Sequence, residues 1–461
     1  MKIKSIILIL SSICIFGSVP SCRNINNNSS NSNSTNENNS NDSNDIVIHF
    51  AVSGDSEQIS KAVKNFNSSN NGYCVELVYY QQEDRFEDDS LQLADFDLIQ
   101  DIMNTTNIDV ITSCCFTEEA NYKNLQDKNA FIDLYKFMET DDEINSDTLN
   151  SHVLKLNESE GKLFSIPTFF SAYSVGGNPE YVGTKKNWTI EEMENHWEQM
   201  PANATFQGGK TKEWVYSQIL RDNLVNFVDQ TAGTVSFDSE DFKKGLEFCN
   251  SFEYGYGEKT IFDYEAPVFC SPLFIKSYMN IASFNLGGIS PKITFVGFPS
   301  SDENGAYLRG YGDCFSILSR SDVKKQEGAW LFIRTFFSEE WQEENVMSYS
   351  DVSKGYASQN AFCMNNKALE NIKNKTVEKS FSPDSYESKG QTINVEFPTL
   401  GDCDALDEYL NSINRWETRG YENVNTIVQE EVYAYFADEI NIDECIRRIQ
   451  NRTAIWINEK K

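Results

Sequence analysis

Three stretches decide the fold: Ile46-Val-Ile-His-Phe-Ala-Val52, Tyr73-Cys-Val-Glu-Leu-Val-Tyr79 and Ile108-Asp-Val-Ile111. The first is a short apolar run with a β-branched majority. The second sets Tyr73, Val75, Leu77 and Tyr79 at alternate positions, the period of a strand. The third is a buried-strand candidate. Helical patterns separate them. Ser53-Gly54-Asp55 is a turn, and Asp55 with Gln58 three residues on makes a capping-box pattern that predicts a helix start. Ile59, Val63 and Phe66 then recur at helical spacing, and Leu91, Leu98 and Ile102 mark a second helix. This strand–helix alternation implies a parallel sheet covered by helices, an α/β architecture. Ligands of such sheets sit outside the carboxyl ends of the strands, which singles out Ser53 to Asp55 and Ser113 to Phe116.

Toward the carboxyl terminus the pattern is mixed. Gly161-Lys-Leu-Phe-Ser-Ile-Pro-Thr-Phe-Phe170 reads as extended. Trp188-Thr189-Ile-Glu-Glu192 holds another capping box, with a helix running to about Met200. Helices are expected over Glu213–Phe227, Ser239–Phe252 and Ser321–Glu340, a strand–turn region over Ile293–Leu318, and three helices after Asp402. No repeat of fixed period is visible.

Toward the amino terminus the chain reads as an export signal. Lys2 and Lys4 precede an apolar stretch, Ile6 to Phe16, that is shorter than the roughly 20 residues a membrane span needs. Val19-Pro20-Ser21-Cys22 follows and resembles the lipobox of bacterial lipoproteins, which implies acylation of Cys22 as the new first residue. Arg23 to Asp45 is almost wholly Asn and Ser. Such a tract cannot bury enough apolar surface to offset its ordering entropy, so a disordered tether is expected.

Composition narrows the function. The formal net charge is −31, and loss of Lys2 and Lys4 with residues 1–21 takes it to −33. A body this acidic is not drawn to nucleic-acid phosphates or anionic lipid. Of eleven cysteines, nine remain besides Cys14 and Cys22, an odd number. No CxxC pair occurs and there are three histidines, so no cofactor and no Cys/His metal site are expected. The vicinal Cys114-Cys115 pair is read as unbridged.

Ordered phrases along the body resemble a known family. They are Ile108-Asp-Val-Ile, Asn129-Ala-Phe-Ile-Asp-Leu, Gly161-Lys-Leu-Phe-Ser-Ile-Pro, Asn187-Trp-Thr-Ile-Glu-Glu, Phe242-Lys-Lys-Gly-Leu-Glu-Phe and Val296-Gly-Phe-Pro-Ser. Gly312-Asp-Cys-Phe-Ser-Ile-Leu, Glu327-Gly-Ala-Trp-Leu-Phe-Ile-Arg, Ile427-Val-Gln-Glu-Glu-Val and Ile449-Gln-Asn-Arg complete the series. In this order they resemble the extracellular solute-binding proteins of carbohydrate ABC importers, the maltose-binding-protein-like group. The resemblance runs from about Ile46 to Lys461. It implies a two-lobed periplasmic-binding-protein-like fold with a multi-crossing hinge and the ligand in the cleft. Lobe 1 is expected over 46–168 and 314–375, and lobe 2 over 169–313 and 376–461. The expected crossings are Ile166–Ala172, Tyr307–Asp313 and a third between Lys354 and Pro398. The implied partners are a small solute, an oligosaccharide in this family, and the permease subunits of the importer. A monomer held at the membrane by lipid is expected.

Candidate ligand-binding residues follow from position. Asp55 and Glu57 lie just past the first strand, where Asp55 is also read as a helix cap. Phe116 follows the third strand. Phe169, Phe170 and Tyr173 lie at the first crossing. Trp214 opens a second-lobe helix, whereas Trp188 and Trp330 read as structural. Asn285, before Gly287-Gly288, sits in a loop that often touches ligand in this family. Tyr311 and Asp313, flanked by glycines in Arg309-Gly-Tyr-Gly-Asp313, are the favoured pair, and an Arg309–Asp313 ion pair is the structural alternative. No run of basic residues suits a phosphate or sulfate ligand. Abundant aromatic residues and Asn fit sugar recognition, because pyranose faces stack on rings while hydroxyls need planar polar partners. The alternatives are a binding protein for a peptide or polyamine, a secreted glycan-active enzyme with two carboxylates across a glycosidic bond, and an adhesin using the fold without transport. No GxSxG, HExxH or P-loop motif is present.

Overall fold

The computed structural model describes residues 45–54, 56–80, 88–104, 107–116, 119–229, 232–255, 266–281, 293–301, 305–351, 356–379, 385–388, 391–394, 397–417 and 422–459. The export signal, Cys22 and the tether lie outside these residues, as do Asp55, Asn285 and Gly287-Gly288. Residues 45–461 belong to one compact unit. No described helix is long and apolar enough to cross a membrane.

The strands are β1 Ile46–Val52, β2 Tyr73–Tyr79, β3 Val110–Thr112, β4 Ile166–Gly177, β5 Val228–Asp229, β6 Thr234–Val235, β7 Cys270–Ile275 and β8 Thr294–Phe295. They continue as β9 Tyr307–Ile317, β10 Met347–Asp351, β11 Tyr356–Gln359, β12 Phe362–Cys363, β13 Ser385–Ser388 and β14 Gln391–Asn394. The main sheet has the order β12-β4-β9-β3-β1-β2, with β7 and β8 also pairing to β4. β1 runs parallel to β2 from Ile46↔Tyr73 to Val52↔Tyr79, and parallel to β3 at Phe50↔Val110. The sheet as a whole is mixed rather than parallel, because β9 lies antiparallel to both β3 and β4.

The first helix spans Glu57–Asn67 and buries Ile59, Ala62 and Phe66 against the sheet. Its cap corrects the sequence expectation. Ser56, not Asp55, is the N-cap, and its hydroxyl accepts from the Ile59 amide at 3.4 Å. The helix starts one residue later than the Asp55/Gln58 pattern predicts, which puts the third helical amide within reach of Ser56. The second helix, Asp88–Asn104, buries Leu98 and Ile102 against Ile108 and Ile111.

Two strands carry the chain between two apolar clusters. β4 has 12 residues, about 40 Å of chain at about 3.3 Å per residue. Its Ile166, Phe170 and Ala172 belong to a cluster with Phe50, Phe315 and Phe332, whereas Tyr173 and Val175 belong to one with Trp188, Phe206 and Phe242. β9 pairs with β4 from Ile166↔Phe315 to Tyr173↔Tyr307, so both strands make the passage side by side. The helix Val323–Ile333 returns to the first cluster. The terminal helices Glu422–Phe436 and Ile442–Glu459 pack in the second, while Leu400–Ser412 buries Leu406, Tyr409 and Leu410 in the first.

Two buried polar groups fasten this frame. Asp109 is fully buried at the start of β3. It accepts from the His49 amide at 2.9 Å, the Ser321 hydroxyl at 2.6 Å and the Lys325 ammonium at 2.9 Å, which ties β1 and β3 to the helix Val323–Ile333. Gln342 donates to the carbonyls of Thr168 and Phe336 and accepts from the Met364 amide at 2.8 Å. It joins β4 to the segment that follows β12.

Candidate functional site

Register brings the candidate loops to one end of the first-lobe sheet. β1 and β3 run parallel, so Ser53 and Ser113 leave the sheet at the same end. Thr112 lies opposite Phe315, so Asp313 and Cys314, which precede Phe315 on antiparallel β9, reach that same end. The carboxyl-end rule and the crossing strands therefore point to one place.

Side chains alternate across a strand, so β4, β7 and β9 present two different faces. The front face carries Phe169 and Tyr173 from β4, Tyr307, Arg309 and Tyr311 from β9, and Phe274 from β7, with Lys276 just beyond it. Phe169 lies opposite Tyr311, and Tyr173 lies opposite both Tyr307 and Phe274. Phe169 stacks on Trp341 at 5.7 Å between ring centres. The Tyr173 ring lies 4.3 Å from Phe274 and 5.4 Å from Tyr307, and its hydroxyl donates to Asp222. Burial, then the Asp222 charge, pushes that phenol far above its ordinary range, so it stays a neutral donor. Phe170 points the other way. It is buried on the reverse face against Phe362 and lines a cavity of about 250 Å³ with Leu308, His152 and Asp407.

Tyr311 and Asp313 flank a backbone irregularity. The β4–β9 register shifts between Pro167 and Phe169, and opposite it Gly312 adopts φ +75°. A Cβ there would come within 2.6 Å of Thr168 Oγ1, whose hydroxyl donates to the Tyr311 carbonyl at 3.2 Å. Glycine is thus required by both conformation and space. Asp313 beyond it is half-buried, and burial alone pushes its carboxyl up to about 6. The expected Arg309–Asp313 pair does not form. Segment 415–417 adds beside β9, through Leu308 N–H to the Arg415 carbonyl at 2.9 Å, and this brings Glu417 to Arg309 at 3.1 Å. Among the described residues Asp313 has no hydrogen-bond or ion-pair partner.

The remaining candidates are scattered. Glu57 is exposed in the first turn of its helix. Phe116 is buried edge-on against Tyr122, with ring centres 6.0 Å apart, and the buried Cys115 thiol donates to the Ala51 carbonyl at 3.4 Å. Trp214 is half-buried and donates its indole N–H to the Gln207 carbonyl at 2.8 Å. Trp188 and Trp330 are structural, donating to the Gly297 carbonyl at 2.8 Å and to Asp141 at 2.9 Å.

Two front-face residues, Phe274 and Lys276, escaped the sequence reading. The Lys276 ammonium lies 5.5 Å from the centre of the Phe274 ring and 5.4 Å from that of Tyr311, and the Arg309 guanidinium lies 5.3 Å from Phe274. Alternation within Phe274-Ile275-Lys276 was the available signal, since it sets the aromatic and the cation on one face.

Comparison with solved structures places this geometry. "Extracellular solute-binding protein family 1" from Alicyclobacillus acidocaldarius superposes with a TM-score of 0.54 over 90% of this chain and 98% of its own, at 11% sequence identity. A periplasmic oligogalacturonide binding protein from Yersinia enterocolitica gives 0.54 over 90% and 100%, at 13% identity. The sugar-binding protein MalE from Xanthomonas citri gives 0.52 over 90% and 98%, at 11% identity. The chain has the two-lobed solute-binding-protein fold. No family model and no curated protein sequence matches it. β4 and β9 pass side by side from one apolar cluster to the other, and their front face carries the residues described above.

Proposed function

We propose that this protein is a receptor that captures an oligosaccharide outside the cell and delivers it to the permease of an ABC importer without chemically altering it. The observation that carries the proposal is the pair of strands β4 and β9, which run unbroken from one apolar cluster to the other and bear aromatic and polar side chains on one face. Bending of two such strands closes two lobes over a solute as rigid bodies. Tyr311 and Phe274, both only partly buried, offer ring faces to pyranose faces, whereas Phe169 is buried in the core against Trp341; Asp313 offers a partner to hydroxyls. The structurally similar proteins from Yersinia and Xanthomonas are described as binding an oligogalacturonide and a sugar, which supports the saccharide reading.

Lobe 1 comprises 46–168 with 314–375 and lobe 2 comprises 169–313 with 376–461, the helix Leu400–Ser412 of the latter packing on the first apolar cluster. The proposal also includes lipid anchoring at Cys22, with 23–45 as a leash that holds the receptor at the extracellular face of the membrane. Labelling with a radioactive fatty acid tests the anchor, and persistent label in a Cys22→Ala variant would exclude that site.

A thermal-shift screen of residues 45–461, which form one compact unit, tests the capture role against saccharides, peptides and polyamines. A ligand at one hundred times its Kd adds about 2.7 kcal/mol to the native state, because only that state binds. The expected result is a raised midpoint with saccharide and no product on chromatography. A midpoint raised only by peptides or polyamines would overturn the saccharide reading, and saccharide turnover would make the protein an enzyme.

A further inference from the structure

On the front face of β4, β7 and β9 an ammonium stands with no acid beside it among the described residues. The chain has 70 acidic and 39 basic residues. Lys61, Lys155, Lys185, Lys325 and Lys373 each lie within 3.5 Å of a carboxylate. Other lysines without an ion pair, such as Lys162 and Lys186, are exposed, and Lys276 differs from both groups. It is half-buried, its nitrogen lies over two aromatic rings, and among the described residues it has no ion pair and no side-chain hydrogen bond. The neighbouring cation, Arg309, already faces Glu417 at 3.1 Å. The rings of Phe274 and Tyr311 hold the Lys276 ammonium in place but carry no net charge to neutralise it.

We propose that Lys276 binds a carboxylate on the captured saccharide, so that the solute is an acidic, uronate-bearing oligosaccharide. This rests on the saccharide reading above and narrows it. A carboxylate entering the cleft gains a charge-assisted hydrogen bond that a neutral sugar cannot make. The ring faces of Tyr311 and Phe274 beside it take the apolar face of the same or the next pyranose. Arg309 is already neutralised, which leaves Lys276 as the discriminating charge.

The test is isothermal titration of residues 45–461 with oligogalacturonides, oligoglucuronides, their carboxyl-reduced neutral counterparts and a glutamate-rich peptide. A charge-assisted hydrogen bond corresponds to about 10- to 150-fold in affinity. The expected result is that at least one oligouronide binds about tenfold or more tighter than its reduced counterpart. Lys276→Met should then weaken the oligouronide by that factor and leave the reduced sugar within about threefold, while Lys276→Arg retains most of the preference. The melting midpoint of each variant confirms that it folds. Equal binding of acidic and reduced sugars, unchanged in Lys276→Met, would overturn the carboxylate assignment and leave the oligosaccharide reading standing. Binding of the acidic peptide alone, with no saccharide bound in either form, would overturn both.

Discussion

Asp313 should make the ligand-free protein less stable as pH rises, and Asp313→Asn should abolish that dependence. The carboxyl has an ordinary value of 3.8 and is pushed up to about 6 in the folded protein by burial. Between those values the folded state retains a proton that the unfolded chain has released. The stability linked to this group is therefore fully present below about pH 4, falls as pH rises through about 6, and is level above that. At about 1.4 kcal/mol per pH unit, the interval amounts to about 3 kcal/mol. That is a ceiling, since the side chain is half-buried and water screens part of the cost. For a body of roughly 400 residues it corresponds to about 3 °C in the melting midpoint. Other carboxylates titrate in the same range, so the informative quantity is the difference between wild type and Asp313→Asn. Urea unfolding at intervals from pH 4 to pH 8 supplies it. The variant should match wild type near pH 4 and exceed it by up to about 3 kcal/mol at pH 7.5. A constant difference across that range would refute the claim that Asp313 is a desolvated carboxyl without a partner.

Asp109→Ala should cost about 3–5 kcal/mol in urea unfolding, because it strands the buried Ser321 hydroxyl and the Lys325 ammonium; a loss below about 1 kcal/mol would show that the network is not a fastening. Gly312→Ala should cost about 1–2 kcal/mol for the left-handed conformation, plus the overlap with Thr168 Oγ1. Adding Thr168→Ala should recover only the overlap, and full recovery in the double variant would show that the conformation itself is not strained.

Much of the fold was legible because its signals are local. The Thr189/Glu192 capping box forms both of its hydrogen bonds, and Trp188 and Trp330 are the structural residues that their positions predict. The Asp55/Gln58 pattern misled because Ser56, equally fit to cap, sits one residue closer to the helix. The aromatic run at the first crossing contained both answers at once. Strand alternation sends Phe169 and Tyr173 to the front face of the sheet, where both are buried, and Phe170 to the reverse face, but the run alone does not say which side is which. The Arg309–Glu417 pair was out of reach, since it depends on segment 415–417 lying beside β9.

By itself the sequence determined an α/β body, many of its helices and the Thr189/Glu192 cap, the glycines around Tyr311, and an acid-rich composition. Those features follow from periodicity, backbone conformation and composition, which act over a few residues. Tertiary structure alone decided that β9 runs antiparallel between β3 and β4, that Asp109 joins β1 and β3 to a later helix, and that Arg309 pairs with Glu417 while Lys276 has no ion pair among the described residues. Each of those outcomes depends on which distant segments the packed clusters bring together, and short-range spacing carries no record of that.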